Sequence, residues 1–381
     1  MVPRRLWLSK IEDAWTDRPI VWLAGVRRVG KTVLTRSLEN VQYFDCELPR
    51  VRRQMDDPQG FLDEVQGTRI VLDEIHRLRN PSQLLKIAAD HYPRLRIVAT
   101  GSSTLGASAK FRDTLTGRKR DVWLTPMILA DLEAAHQPDL KRRFLHGGLP
   151  PFLLADDVPE RDFQEWMDAY WAKDIQELFR LEKRGPFQRF TELLLAQSGG
   201  LFEATRFSGP CEVSRTTIGN YLKVLEATFV AHIIRPYSTH KPTEIISAPK
   251  VYAFDTGFVC YHRGWLELRP GDLGALWEHF VLNEIMATLQ HRRVLYWRDK
   301  RGHEVDFVLA PRHGTPLAVE CKWSAGEFDD TNLQSFRRQY PAGDNVVIAH
   351  DVDRPFKRTN GSIRIRFESL KHFVARLGDA A

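Results

Sequence analysis

Gly25-Val26-Arg27-Arg28-Val29-Gly30-Lys31-Thr32 decides how the first third of this chain is read. The stretch fits G-x-x-x-x-G-K-[ST] without a mismatch, and at average residue usage chance produces that pattern in about one per cent of chains of this length. It follows the apolar run Pro19–Ala24 and opens a helical stretch from Lys31 to Glu39, the strand-to-helix setting that a phosphate-binding loop needs. Each residue type has a task. Glycines let backbone N–H groups curl around phosphate oxygens, and the helix N-terminus adds its dipole. Lys31 is expected to meet the β- and γ-phosphates, and Thr32 to help hold Mg²⁺. Gly25, Val26, Arg27, Arg28, Val29 and Gly30 form the cradle. Arg27-Arg28 is a more basic insert than the loop needs, and it leaves the phosphate contacts intact.

Outward from the loop, short apolar runs alternate with helical segments. Arg69-Ile70-Val71-Leu72-Asp73 and Leu95-Arg96-Ile97-Val98-Ala99 read as strands, and Ser82–His91 as a helix between them. That alternation predicts a parallel sheet with helices on both faces. The second run ends in Asp73-Glu74. A strand of this kind delivers Asp73 to the carboxyl edge of the sheet, beside the loop, to organise the Mg²⁺ shell. Glu74 is then placed to orient and deprotonate an attacking water. The next strand runs into Thr100-Gly101-Ser102-Ser103, where a hydroxyl, assigned to Ser102, can sense the γ-phosphate.

Together these motifs resemble the additional-strand, catalytic-glutamate class of P-loop ATPases, in its AAA-like branch, over roughly residues 1–125. The resemblance implies ATP as the nucleotide; no guanine-reading N-K-x-D stretch occurs there. Arg118, in Leu115-Thr116-Gly117-Arg118, looks like the basic residue such proteins place near the nucleotide, in their own subunit or a neighbour's.

Composition sets the frame around this. The chain has 381 residues, 43% hydrophobic and 27% charged, as expected of two or three globular units and not of a disordered or membrane-embedded chain. No run of 18 uncharged apolar residues occurs, so no membrane span is predicted. Cys46, Cys211, Cys260 and Cys321 form no C-x-x-C pair, which disfavours zinc and disulfides and suggests a cytoplasmic setting. Lys plus Arg number 55 against 49 Asp plus Glu, a mild excess that permits nucleic-acid binding without requiring it.

Residues 126–184 read as a helical linker, with large apolar residues at helical spacing in Asp162–Trp171. From 185 to 260, helical segments lead to a helix opening Ser214-Arg215-Thr216-Thr217, with Ser214 as N-cap and Ile218, Tyr221, Leu222 and Leu225 as its apolar stripe. Two β-like runs follow. The order resembles a winged helix, in which Arg215, Thr216 and Asn220 are the candidate major-groove contacts; packing or oligomerisation is the competing use.

The third region, 261–381, holds two strand-like runs, Glu304-Val305-Asp306-Phe307-Val308-Leu309 and Pro316-Leu317-Ala318-Val319-Glu320-Cys321-Lys322, joined by a turn containing His313-Gly314. Folded about that turn, Asp306 faces Glu320, with Lys322 on the same side and Val305, Phe307, Val319 and Cys321 on the other. Opposed carboxylates repel, and a divalent cation, Mg²⁺ or Mn²⁺, would offset that. The helical stretch Leu276–Glu284 is expected to bring Glu284 to the cluster. This arrangement resembles the PD-(D/E)xK nuclease fold, with Asp306 and Glu320-Cys321-Lys322 as its signature.

End to end, the chain resembles a family of bacterial and archaeal AAA-like ATPases with a C-terminal domain of unknown function related to these nucleases. Val251–Gly257, Tyr296-Trp297-Arg298 and Glu304–Phe307 carry that likeness. The expected fold class is therefore α/β: a P-loop parallel sheet, a winged-helix region and a nuclease-like α/β domain. Two functions remain open. One is an ATP-hydrolysing enzyme that acts on DNA and gates a metal-dependent phosphodiesterase. The other is a nucleotide-switched module that binds nucleic acid or protein and cuts nothing. A homo-oligomer is compatible with either.

Overall fold

Continuous apolar runs that need cover on both faces account for the first half of the architecture. The computed structural model describes residues 2–101, 109–176, 184–239, 248–291, 293–310, 314–361 and 363–379. They gather into two compact units: Met1–Asp139 with Leu149–Arg184 and Ala227–Val230, and Leu140–Gly148 with Gly185–Glu226 and Ala231–Ala381.

In the first unit, strands β1 (Ile20–Ala24), β2 (Gln42–Asp45), β3 (Arg69–Asp73), β4 (Arg96–Thr100) and β5 (Lys119–Trp123) form one sheet in the order β2-β3-β4-β1-β5. Every pairing is parallel. All five residues of β1 are buried. Helices Pro58–Val65 and Pro81–His91 contribute Phe61, Leu62, Val65, Leu84, Leu85 and Ala88 to the same core. Helix Arg5–Asp17 buries Trp7, Ile11, Ala14 and Trp15, an i, i+4, i+7, i+8 stripe that packs on β1 and β5. Strand β4 lies between β1 and β3. The carboxyl ends of three neighbouring strands therefore stand side by side, one followed by the phosphate loop, one ending in Thr100 and one in Asp73.

The second unit is built on a nine-stranded sheet. Its strands are β6 (Gly200–Leu201), β7 (Ala231–Pro236), β8 (Lys250–Ala253), β9 (Leu295–Arg298), β10 (Glu304–Leu309), β11 (Leu317–Lys322), β12 (Asn345–Ala349), β13 (Phe356–Asn360) and β14 (Ile363–Glu368). Their order is β13-β14-β12-β11-β10-β9-β7-β8-β6. Helix Pro270–Leu289 is apolar nearly all round and correspondingly buried, with the Trp277 indole donating to the Ile348 carbonyl at 3.0 Å. The chain passes from the first unit to the second between Arg184 and Gly185, whereas the boundary expected at 260 falls inside the second unit. Parallel pairing of β7 with β9 joins the strands of residues 200–253 to those of the C-terminal region in one sheet. Short β-runs carry no mark of which sheet they enter, so this continuity was not readable from periodicity. All four cysteines are buried and free.

Candidate nucleotide site and a second carboxylate cluster

The phosphate loop is shaped by backbone sterics. Gly25 has φ +148°, and a Cβ there would lie 2.5 Å from the Leu124 carbonyl oxygen, so only glycine fits. Arg28 (φ 61°) and Gly30 (φ 102°) are left-handed, which curls the loop before Lys31 starts the helix Lys31–Arg36. The Lys31 ammonium donates to the carbonyls of Gly25 (2.9 Å) and Val26 (3.1 Å). Burial holds its pKa below the usual lysine range, against the opposing pull of Glu74, Asp174 and Asp73. A buried cation satisfied by two neutral carbonyls is a ready partner for an anion.

The two extra arginines reach outward. Arg27 pairs with Asp174 at 3.1 Å, and burial pushes that carboxyl above its ordinary range. Arg28 pairs with Asp162 at 2.9 Å, and the Trp166 indole donates to the Arg27 carbonyl at 3.0 Å. Helix Glu160–Ala169 and the π-helical turn Tyr170–Gln176 that continues it thus hold the loop from one side. From the other, Arg4 donates to the Val29 carbonyl at 3.0 Å while paired with buried Asp131.

Thr32, Asp73 and Thr100 converge. The Thr32 hydroxyl donates to Asp73 Oδ2 at 3.0 Å; the hydroxyls of Thr100 and Tyr43 bond to the same carboxylate. Glu74, next along the chain, is left-handed (φ 53°), and its amide donates to the Thr100 hydroxyl at 3.0 Å. This turns its carboxylate to His76 at 3.1 Å. Burial alone would raise the Glu74 pKa; the His76 hydrogen bond and the Lys31 charge outweigh it and hold the group below the usual carboxylate range. Lys31, Thr32, Glu74, His76, Lys173 and Asp174 all line one cavity of about 620 Å³.

Ser102 lies outside the described residues; the hydroxyl the structure places beside Asp73 is that of Thr100. Arg118 lies away from the loop edge of its own sheet. It forms a two-point pair with Asp90 (2.6 and 3.0 Å) immediately before β5 begins, at the amino edge of the sheet. With a rise of about 3.3 Å per residue, a five-residue strand separates it from the loop edge by about 16 Å. Sequence distance from the loop gave no information about which end of β5 would hold it.

In the second unit, β10 and β11 pair antiparallel in the register Phe307↔Val319 and Val308↔Ala318, which continues to Asp306 opposite Glu320. His313, expected in the connection, lies outside the described residues. The Lys322 ammonium is 2.9 Å from Glu320 and 3.8 Å from Asp306, and Asp306 also accepts the Cys321 amide at 2.8 Å. Glu320 is 1% exposed. Burial and then the neighbouring Asp306 push its pKa up to about 8, against the pull of Lys322. Its Oε1 has no hydrogen-bond partner among the described residues.

Glu278, on the helix Pro270–Leu289, stands at this cluster. Glu278 accepts from the Tyr252 hydroxyl and from Lys250 at 3.3 Å. Glu284 is buried on the same helix six residues further on, which at 100° per residue turns it about 120° away around the axis. Lys250 and Tyr252 are both on β8; Lys250 lies outside every quoted motif, and Val251–Gly257, which contains Tyr252, gave that tyrosine no role at the cluster.

Comparison with known proteins gives three successive family matches, the middle one spanning parts of both units. Residues 17–132 match the family described as an AAA domain. Residues 137–269 and 273–369 match two domains of unknown function, DUF8612 and DUF4143. Residues 17–132 thus carry an AAA-type P-loop domain. Uncharacterised proteins of Mycobacterium tuberculosis and Mycobacterium bovis are each 28% identical over 335 residues, spanning 84% of this chain and 74% of theirs. Among solved structures, a Walker-type ATPase of Pyrococcus abyssi is 17% identical with a TM-score of 0.45, over 69% of this chain and 96% of that one. Cdc6p of Pyrobaculum aerophilum is 12% identical with a TM-score of 0.29, over 70% and 96% respectively. Among the described residues, no helix is long and apolar enough to cross a membrane.

The donor sets differ in what they suit. The nucleotide site offers a buried ammonium for phosphate, plus a hydroxyl and a carboxylate 3.0 Å apart for a hard cation. The C-terminal cluster offers oxygen donors, one of them an orphan. Even so, no three His, Cys, Asp or Glu side chains among the described residues are grouped to hold a metal ion.

Proposed function

We propose that this chain binds ATP with Mg²⁺ at the phosphate loop, hydrolyses it, and acts on DNA through its second unit. The observation that carries the first part is that Lys31, Thr32 and Glu74 line one cavity, with Thr32 bonded to Asp73 and Asp73 to Thr100. Lys31 exchanges its two carbonyl bonds for phosphate oxygens. Thr32 and Asp73 hold the cation, whose charge offsets that building on the phosphoryl oxygens. Glu74, kept ionised by His76 and Lys31, accepts a proton from the attacking water. Phosphate release measured on purified protein tests this: Lys31→Ala should abolish turnover, and hydrolysis at the parent rate in that variant overturns the assignment.

For DNA, support comes from residues 184–253. Helix Arg184–Ala196, β6, helix Ala204–Ser208, helix Arg215–Ala227, β7 and β8 follow the order of a winged helix, with β8 pairing both β6 and β7. Arg215, Thr216 and Asn220 are exposed on its third helix, whose first turn is capped by the Ser214 hydroxyl accepting the Thr217 amide at 3.1 Å. Asp306, Glu320 and Lys322 then read as a phosphodiester site taking Mg²⁺ or Mn²⁺ between the two carboxylates. If Asp306→Ala cleaves plasmid as well as the parent, that activity is absent.

One observation favours a second reading, a nucleotide-switched binding module: each C-terminal carboxylate already has a lysine or amide partner inside the protein. DNA retention in a gel shift that depends on Lys31 and ignores Asp306, Glu320 and Lys322 would select it.

A further inference from the structure

Lys250 is 5% exposed, in the interior of the second unit. Its ammonium lies 2.5 Å from Glu304 and 3.3 Å from Glu278, and it donates to the Tyr252 hydroxyl at 3.2 Å. The rings of Tyr252 and Tyr296 stand at 5.8 Å on either account of its position, adding cation–π attraction. An ammonium this deep needs anionic partners, and Glu278 and Glu304 need a cation to lie this close together. The requirement is mutual.

We propose that Lys250 is the resident cation of the C-terminal cluster, an ammonium from β8 that holds Glu278 and Glu304 where a second divalent ion would otherwise be required. Four carboxylates, Glu278, Glu304, Asp306 and Glu320, gather against Lys250 and Lys322 inside and Arg298 at the rim, 3.1 Å from Glu304. The oxygen of this group left without a hydrogen-bond partner among the described residues is Glu320 Oε1. The cluster therefore divides into two cation positions. One, between Asp306 and Glu320, is where the proposed function puts a divalent ion. The other is filled by the protein itself, through a strand that precedes the whole nuclease-like segment. The inference rests on reading the cluster as a cation-holding site, and the test below counts ions instead of cuts, so the two can fail separately.

The experiment titrates Mn²⁺ against the full chain without nucleotide, following free Mn²⁺ by electron paramagnetic resonance. Lys250→Met should bind one ion per chain more than the parent. Adding Glu278→Gln to that variant should remove the gain, and Lys250→Arg should show none. Equal stoichiometry in the parent and in Lys250→Met overturns the proposal. So does loss of a bound ion from Glu278→Gln made alone, because that would place a metal where Lys250 stands. Should the parent bind nothing and Lys250→Met bind one ion, the resident cation holds and the Asp306–Glu320 metal reading falls. Where Lys250→Met melts too early to titrate, its melting temperature is the readout: Mn²⁺ should raise it by several degrees more than it raises the parent's, and equal shifts refute the idea.

Discussion

Replacing Arg4 with methionine should destabilise the nucleotide-binding unit more than its position near the chain start suggests. The Arg4 side chain is 4% exposed and that of Asp131 2%. The guanidinium meets Asp131 Oδ2 through Nε (3.0 Å) and Nη2 (2.6 Å), and also donates to the carbonyls of Val29 (3.0 Å) and Thr125 (2.9 Å). After Arg4→Met, Asp131 keeps only the Trp7 indole and the Ile128 amide, both at 3.2 Å, and so becomes a buried, uncompensated carboxylate. Breaking a buried pair from one side costs about 3–5 kcal/mol. At about 2–4 °C per kcal/mol for a unit of this size, the transition should fall by about 6–20 °C. Scanning calorimetry reads it, taking the transition that ATP with Mg²⁺ shifts upward as the one belonging to this unit. Arg4→Met/Asp131→Leu removes both charges and should recover more than half of the loss. A fall of under about 2 °C in the single variant, or no recovery in the double, would refute the account of Arg4 as the anchor of the loop.

Two further changes have directions set by geometry. Gly25→Ala should cut ATP turnover at least tenfold and cost about 1–3 kcal/mol, because a Cβ would lie 2.5 Å from the Leu124 carbonyl and the backbone is at φ +148°; parent-like phosphate release would show that the loop adjusts. Burial lowers the His279 pKa from 6.5 to about 4, its Nε2 being 2.6 Å from the Ser198 hydroxyl. Its folded pKa lies below its unfolded one, so its contribution is present above pH 6.5 and lost as pH falls towards 4, by about 3 kcal/mol in all. Urea unfolding at pH 7, 5.5 and 4 should show a shallower decline for His279→Gln than for the parent; identical slopes would remove His279 from the explanation.

The parallel sheet and its helices were legible because two strong signals agree there. Buried parallel strands must be continuously apolar, as Ile20–Ala24 and Ile70–Leu72 are, and the loop motif fixes which strand comes first. Lys31, Thr32, Asp73 and Glu74 carry their own sequence context, and they line or border one cavity. Thr100 carried no signal of its own, because in Thr100-Gly101-Ser102-Ser103 a hydroxyl's role depends on where β4 ends. Arg118 shows a related ambiguity: a basic residue beside a strand reads the same at either end of it. Arg4, Asp131 and Asp174 act across long separations in sequence, and no local pattern links such partners.

Glu278 and Glu284 show where periodicity stops helping. Helix Pro270–Leu289 is buried on almost every side, so its apolar pattern has no polar face to mark which carboxylate turns towards the sheet. The partner decides it. Lys250 and Tyr252 stand on β8, and once β8 joins the same sheet as β10 through β7 and β9, an acid on the helix can meet them only where its angle matches. A buried lysine outside every motif was thus the missing clue: its charge requires carboxylates nearby. Searching the neighbourhood of Lys250 leads directly to Glu278 and Glu304, whereas searching from the D…ExK pattern alone led to Glu284.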